Sequence, residues 1–567
     1  MTGKLLAPLI AIAALLLGTQ PAAQQETSKQ PSPAATAASI GAEHVGVEPH
    51  IVLETVGPDG WRMRLGVTNV AAMLDSEEGR EVWQPRLEPI LGIWKMMVGD
   101  EEAFAAASKR IFSYGGTIRI AVFINPAAAA HVAVMLEPDG RSDLKAIAAD
   151  IKSLVERSIP GEWQTVTIGG KQITLRGDTV DAVTAPVLEN GRLYMVAGDQ
   201  KTIHAGIGLA THLMARPLTI TTPKPTSPAL HISVNMPALL ALDDDPDTIK
   251  IHKALGFSQL QELSFAVRAA GPRIEVDVSA RLKGAARGIV KAFAPDSPGV
   301  SALSQLLPEK ATVWKVGRFD GRAFFNGCVD AIAASGWGKT REETLAEINK
   351  ECGTDVDGEL LANLSDEMLV VGSPFQNFDR LNEATWLVGF RVKNTAKFRT
   401  SFQAMMKKMK WLFSGSETVD VDGIELRRYG NMIGYDVWMA VGNGLFVISA
   451  GRDAEEEATT ILQKAKDHKF EAATELAASH QDLNRYLPPA LNGVAQADLG
   501  SALAIPSEWW VELVNELMPF LAGPKVDPDE AEEQQQKMLK LLKTHNLELV
   551  RSATGFANDS WQWRLFW

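Results

Sequence analysis

The sequence predicts an α+β fold made of two tandem homologous lobes, each a largely antiparallel sheet with helices on one face. Three observations carry this expectation. Strand, helix and turn landmarks recur at a spacing of about 250 residues along the 567-residue chain. Short hairpin turns separate most of the strands, which favours antiparallel pairing. The composition is 46% apolar, 22% charged and 7% aromatic, the usage of an ordinary globular protein.

The N-terminus reads as an export signal over residues 1–23. Lys4 is followed by the apolar run Leu5 to Leu17, broken only by Pro8, and then by the small residues Ala22 and Ala23. This run is shorter than the roughly 20 residues a spanning helix needs. No Cys stands near the cleavage point, so a lipoprotein-type acylated anchor is excluded. Residues 24–42, rich in Gln, Pro, Ser and Ala, have little to bury and read as a disordered linker. No later segment is long and apolar enough for a membrane helix, so the mature chain is expected to carry no membrane span and to be periplasmic or secreted.

The first lobe is placed at 43–282. It opens with a strand, Trp61 to Val67, running into a helix, Asn69 to Met73. Val132, Val134 and Leu136 alternate as a half-buried strand. Leu144, Ala148 and Ile151 then share one helix face. A hairpin follows with Val166, Ile168 and a Gly169-Gly170 turn. Asn190-Gly191 is a second turn, leading to the strand Leu193 to Ala197, which Gly198 ends. Asp245-Pro246-Asp247 reads as a capping Asp with Pro at the first helical position. Gly271 falls in the closing hairpin.

The second lobe is placed at 311–567, after a connector at 283–310. Thr312 to Val316 leads into the helix Arg322 to Ala334. Trp386, Val388 and Phe390 lie 254 residues after Val132, Val134 and Leu136, and Phe398, Phe402 and Met405 repeat the helix face at the same offset. Asp422-Gly423 and Asn443-Gly444 repeat the turns at an offset of 253, and Phe446 to Ala450 repeats the strand that Gly451 ends. Asp527-Pro528-Asp529 repeats the capping motif at an offset of 282, and Gly555 is matched to Gly271. The jump locates an inserted helix near 502–526. There Trp509, Trp510, Leu513, Val514 and Leu517 fall at helical spacing behind Ser507 as a cap. They form the candidate surface for an apolar ligand or a partner.

Cys328 and Cys352 are the only cysteines, and an exported chain leads to the expectation of one disulfide clipping two helices, Phe324 to Ala334 and Arg341 to Lys350. Motifs with chemistry are otherwise thin. Ala333, Gly338, Lys339 and Thr340 satisfy a permissive phosphate-loop pattern, but the preceding segment has helical rather than strand periodicity. Asp355, Asp357, Gly358 and Glu359 superficially resemble a calcium loop with its Gly misplaced, and read better as a capped helix start. Asp243 to Asp245 with Asp247 read as an acidic helix N-terminus. His204 and His212 lack metal spacing, and no GxSxG, CxxC or HExxH is present. The sequence therefore nominates no catalytic, cofactor-binding or metal residue and no cofactor. The alternating end Trp561, Trp563, Leu565, Trp567 reads as a half-buried closing strand.

A formal charge of −13, without a segregated basic patch, speaks against nucleic acid as a partner. The strand-helix opening at Thr312 to Ala334, the strand-helix at Trp386 to Met405 and the Asn443-Gly444 hairpin together resemble exported bacterial proteins built from duplicated α+β units, grouped as domains of unknown function. That resemblance implies no particular activity or site residues. The expectation is a non-catalytic exported protein acting as a binding or scaffolding module for a protein or an apolar small molecule. The alternatives are a carrier of a lipid or other apolar ligand and a hydrolase with dispersed catalytic residues.

Overall fold

The computed structural model describes residues 48–81, 110, 113–124, 130–159, 161–168, 171–177, 182–200, 202–220, 227–294, 299, 301–308, 311, 313–335, 339–372, 385–409, 417–432, 435–467, 491–498, 528–557 and 560–567. They fall into two compact units. One holds the residues up to Leu242 with Ser264–Val276; the other holds Asp243–Leu263 and the residues from Asp277 onward, apart from Met518–Pro524.

In the first unit the chain runs through β1 (Ile51–Val56), α1 (Pro58–Leu65), α2 (Asn69–Asp75), β2 (Thr117–Phe123) and β3 (His131–Leu136). It continues as α3 (Leu144–Ser158), β4 (Gln164–Ile168), β5 (Lys171–Gly177), β6 (Ala182–Thr184), β7 (Val187–Glu189) and β8 (Arg192–Gly198). Then come α4 (Ile203–Ala215), β9 (Leu230–Asn235) and α5 (Met236–Leu240). Pairing is antiparallel throughout. From β9 the order is β1, β2, β3 and β8; β6 and β7 share the far side of β8, and β5 and β4 follow β6.

The strand that the sequence suggested at Trp61 to Val67 is a correction: those residues belong to α1 and the turn after it, and β1 lies upstream. Pro58 is the reason. It occupies the first helical turn, where its missing N–H costs nothing, and Leu65 one turn after Trp61 is turned into the core.

In the second unit α6 (Pro246–Ala254) is capped by Asp245, which accepts from the N–H groups of Asp247 and Thr248. A hairpin of β10 (Leu260–Ala270) and β11 (Arg273–Leu282) turns at Gly271, whose φ is 62°, and contributes residues to both units. Then follow α7 (Gly288–Ala292), β12 (Val313–Arg318), α8 (Gly321–Ala334), α9 (Arg341–Cys352), β13 (Leu364–Gly372), β14 (Trp386–Val392) and α10 (Thr395–Lys408). The remainder is β15 (Thr418–Val421), β16 (Ile424–Met432), β17 (Tyr435–Gly442), β18 (Leu445–Ala450), α11 (Ala454–Asp467), β19 (Leu491–Asp498), α12 (Pro528–Thr544), β20 (Leu549–Ala557) and β21 (Ser560–Phe566). From β21 the antiparallel order is β20, β19, β12, β13, β14, β18, β17, β16 and β15. Gly555 lies inside β20 rather than in the closing turn. The segment expected to be a connector is partly core, since Leu303 and Leu306 are fully buried against Trp314 and Leu369.

The fold is thus mixed helix and strand around extensive antiparallel sheet, as the pattern required. The helices, however, are not confined to one face. In the first unit α4 covers Val52, Ala121, Met135 and Val196, while α3 covers Ile118, Val134 and Leu193 on the opposite face. In the second, α11 packs on Val316, Leu369 and Val447, and α10 on Phe390, Val441 and Phe446. The central strands carry apolar residues at consecutive positions, so both faces need cover and each receives a helix.

Candidate functional site

The densest chemistry among the described residues lies between the first sheet and α4. Arg119 interrupts the apolar strand β2, and the register sets it directly across from Glu54 of β1. Both side chains are fully buried. Arg119 Nη2 stands 3.2 Å from Glu54 Oε1. Its Nη1 donates to Glu137 Oε1 at 3.4 Å and to the carbonyl of Leu213. Glu137 Oε2 in turn accepts from Arg192 Nε at 2.7 Å, and Arg192 Nη1 donates to the carbonyl of Met214 at 3.0 Å. Glu54 Oε2 accepts from the backbone N–H groups of Thr219 and Ile220 at 2.8 and 3.1 Å.

The logic of this network is that of a helix end. The last carbonyls of α4 have no intrahelical donor and carry the negative end of the helix dipole. Two guanidiniums satisfy them, and two carboxylates hold those guanidiniums in place. Glu137 is hydrogen-bonded through both oxygens and Glu54 through Oε2, while Glu54 Oε1 meets Arg119 Nη2 by charge alone. As an arrangement it anchors α4 and the segment after it to the sheet.

Histidines gather at the other end of α4. His131, fully buried at the start of β3, places Nε2 2.9 Å from Thr202 Oγ1, the residue preceding α4. Its ring stacks on Phe123, whose other neighbour is His50 at a centroid distance of 5.0 Å. Burial lowers the His131 pKa; nearby Asp199 opposes the shift and His204 adds to it. Burial also lowers that of His50, against a backbone contact with Ala238. At the C-terminal end of α4, His212 is lowered by burial and by Arg216 and Arg119, with Glu48 opposing. His212, Ala215 and Arg216 line an open pocket of about 430 Å³.

The residues nominated from sequence lie elsewhere. Trp509, Trp510, Leu513, Val514 and Leu517 fall outside the described residues, as does the signal region. Cys328 and Cys352 are free thiols, not a disulfide. The helix hairpin explains why: Arg341, which opens α9, binds Asp330 and Asn326, the residues flanking Cys328. Cys352 lies eleven residues further along α9, about 16 Å of helix rise, where Gly353 meets Lys408 and Ala404 of α10.

The phosphate-loop pattern resolves into a helix start. Thr340 and Glu343 form a capping box, and Lys339 pairs with Glu347. Asp355 caps the short turn of Val356–Leu360, and Asp357 binds Arg322 at 2.8 Å and Asn326 at 2.7 Å, which keeps its carboxyl below the usual range. His204 and His212 sit at opposite ends of α4. The sequence reading missed Glu54, Arg119 and Glu137. A lone Arg inside TIRIAVF, between residues that must all be buried, is the signal that would have found them.

Among the described residues no three His, Cys, Asp or Glu side chains converge on a metal position, and no helix is long and apolar enough to cross a membrane. No family model matches the sequence, and no curated protein is similar to it. Structures of TP0453 in crystal forms III and IV align at 12% and 10% identity, with TM-scores of 0.22 and 0.20. They cover 47% and 42% of this chain and 86% and 78% of their own. A likeness that slight bears on neither fold nor role.

Proposed function

We propose that this chain is a non-catalytic exported protein, built from two tandem homologous lobes, that serves as a binding or scaffolding module. One observation carries the non-catalytic reading: the buried Glu54–Arg119–Glu137–Arg192 network spends its charges on each other and on backbone groups at the end of α4. A catalytic set would aim such groups at a cleft. Two further observations support the rest. The strand order of the second unit from β19 to β15 repeats in the first from β9 to β4, with β6 and β7 together standing where β17 stands, and the Lys4 to Ala23 segment has the make-up of an export signal.

The test expresses the chain with its N-terminus intact and recovers it from cell fractions. The reading expects cleavage near Ala23, recovery outside the cytoplasm, and a bare polypeptide mass by native mass spectrometry with no turnover of ester, peptide or glycoside substrates. A stoichiometric lipid adduct would replace it with the carrier reading, and steady turnover with the hydrolase reading.

A further inference from the structure

The anchoring of α4 is asymmetric in charge. Its C-terminal end is held by permanent cations, whereas its N-terminal end is held by a histidine. We propose that His131 is an acid-sensitive latch whose protonation frees the N-terminal end of α4 from the first sheet, while α11 of the second unit stays in place.

The geometry of the ring carries the argument. Nε2 bonds Thr202 Oγ1. Nδ1 is buried without any hydrogen-bond partner. A lone pair tolerates that situation better than an N–H, so the neutral ring carries its proton on Nε2 and donates to Thr202. Protonation adds an N–H at Nδ1, and there is no acceptor for it. The ring lies so close to Gly198 that a Cβ there would stand 2.0 Å from Nδ1, and Gly198 itself holds a φ of 153°.

The groups around the ring on each packed element complete the account. Phe123 of β2 stacks on it, and His50, ahead of β1, lies across Phe123. His204 of the first turn of α4 disfavours the charge, and Asp199 after β8 favours it. The positive end of the α4 dipole adds to the opposition. Burial and these neighbours together leave the folded-state pKa below the ordinary histidine value. The sign follows directly. Above an unfolded pKa of about 6.5 neither state binds the proton, and stability is complete. Below it the unfolded or released state takes up the proton first, and stability falls until the folded pKa is reached. His50 shares the direction because burial lowers it, against a backbone contact with Ala238, and its Nδ1 accepts from the Ile124 N–H at 3.2 Å. The described histidines of the second unit, His252 and His545, lie on other elements than α11.

Hydrogen exchange on the full chain at pH 7.5 and 5.5, corrected for intrinsic rates, tests the latch. Protection in residues 203–215 is expected to drop at the lower pH by up to about tenfold, the limit set by an ordinary released-state histidine pKa of about 6.5. Protection in residues 454–467 is expected to stay constant. In His131→Gln, which retains a neutral donor, the drop in α4 should shrink to less than a third. A flat α4 response in the wild type, an equal drop in α11, or an undiminished drop in the variant would overturn the proposal. Should the variant not fold, ring NMR of the wild-type protein decides instead: a His131 ring protonated at pH 5.5 beneath a still-protected α4 rules the latch out.

Discussion

Where Arg119 faces Glu54 in the first sheet, the second sheet sets Leu369 opposite Val316. The two places correspond strand for strand. The 254-residue offset that carries Val134 to Val388 also carries Met135 to Gly389, and those residues face Arg119 and Leu369 from the next strand. All four side chains are at most 1% exposed, so burial is equal and only the chemistry differs. In the first unit the charges receive the end of α4. In the second the position is apolar and joins Trp314, Leu303 and the inner face of α11. There the charges sit toward the strand ends, where Glu367 accepts from Arg391 at 2.6 Å and from the Ala302 N–H at 2.7 Å. Both units use a buried glutamate to catch an incoming backbone segment. Both pair it with arginine, but Arg119 is itself fully buried, whereas Arg318 and Arg391 keep part of their surface in solvent. A sheet position that tolerates either solution is defined by its shape, and the charge is an addition that serves the helix end.

The sharpest way to break this comparison is Arg119→Ala. It takes the countercharge from Glu54, leaves Glu137 with Arg192 alone and strips the Leu213 carbonyl of its donor, all in a dry interior, and the expected loss is about 3–5 kcal/mol confined to the first unit. Urea titration followed by exchange in residues 117–123 and 364–372 reads which unit moves. Leu369→Ala is the counterpart, with a cavity and lost transfer energy of about 3 kcal/mol expected in the second unit alone. Copying the second unit's solution into the first, as Glu54→Val with Arg119→Leu, should cost less than Arg119→Ala. The expected loss is about 2–3 kcal/mol, because the ion pair leaves together but the Thr219 and Ile220 N–H groups lose their acceptor and the Leu213 carbonyl its donor. A double variant that loses as much as Glu54→Val and Arg119→Leu lose in sum would mean that the two residues are not coupled.

Much of the scaffold was legible because it rests on local signals. Alternation at Val132 to Leu136 and Trp386 to Phe390 located β3 and β14, and the helix faces at Leu144 and Phe398 located α3 and α10. The turns at Asn190-Gly191 and Asn443-Gly444 adopt positive φ at both residues (52° and 75°, 48° and 76°), which Asn-Gly favours in tight hairpins. What the sequence hid depends on distance in space. Glu54 and Arg119 are 65 residues apart, and nothing local joins them. The cover on both faces also escaped a reading that tracked alternation, because consecutive apolar residues such as Ile118 and Ile120 beside Ala121 fit either a strand buried on both sides or a noisier pattern. The cysteines misled for a related reason. Their spacing suits a clip, but the level at which two helices meet is set by contacts such as Arg341 with Asp330.

The smallest expected difference is also the cleanest test of whether the units respond alike. α3 and α10 cover the same kind of sheet face, yet α3 is capped by the charged Asp143, which accepts from Lys145 and Ala146, and α10 by the neutral Asn394, which accepts from Lys397. Removing either acceptor as Asp143→Ala or Asn394→Ala exposes orphan N–H groups and should cost about 1 kcal/mol. Asp143 adds an interaction with the helix dipole that Asn394 lacks, worth about 0.3–1 kcal/mol at low ionic strength and screened by salt. Raising the salt concentration to about 1 M, where the Debye length falls to about 3 Å, should therefore narrow the loss for Asp143→Ala toward that for Asn394→Ala, with the latter unchanged. If both losses respond to salt equally, the dipole term is not what separates the two caps, and the difference between the helices lies in their packing.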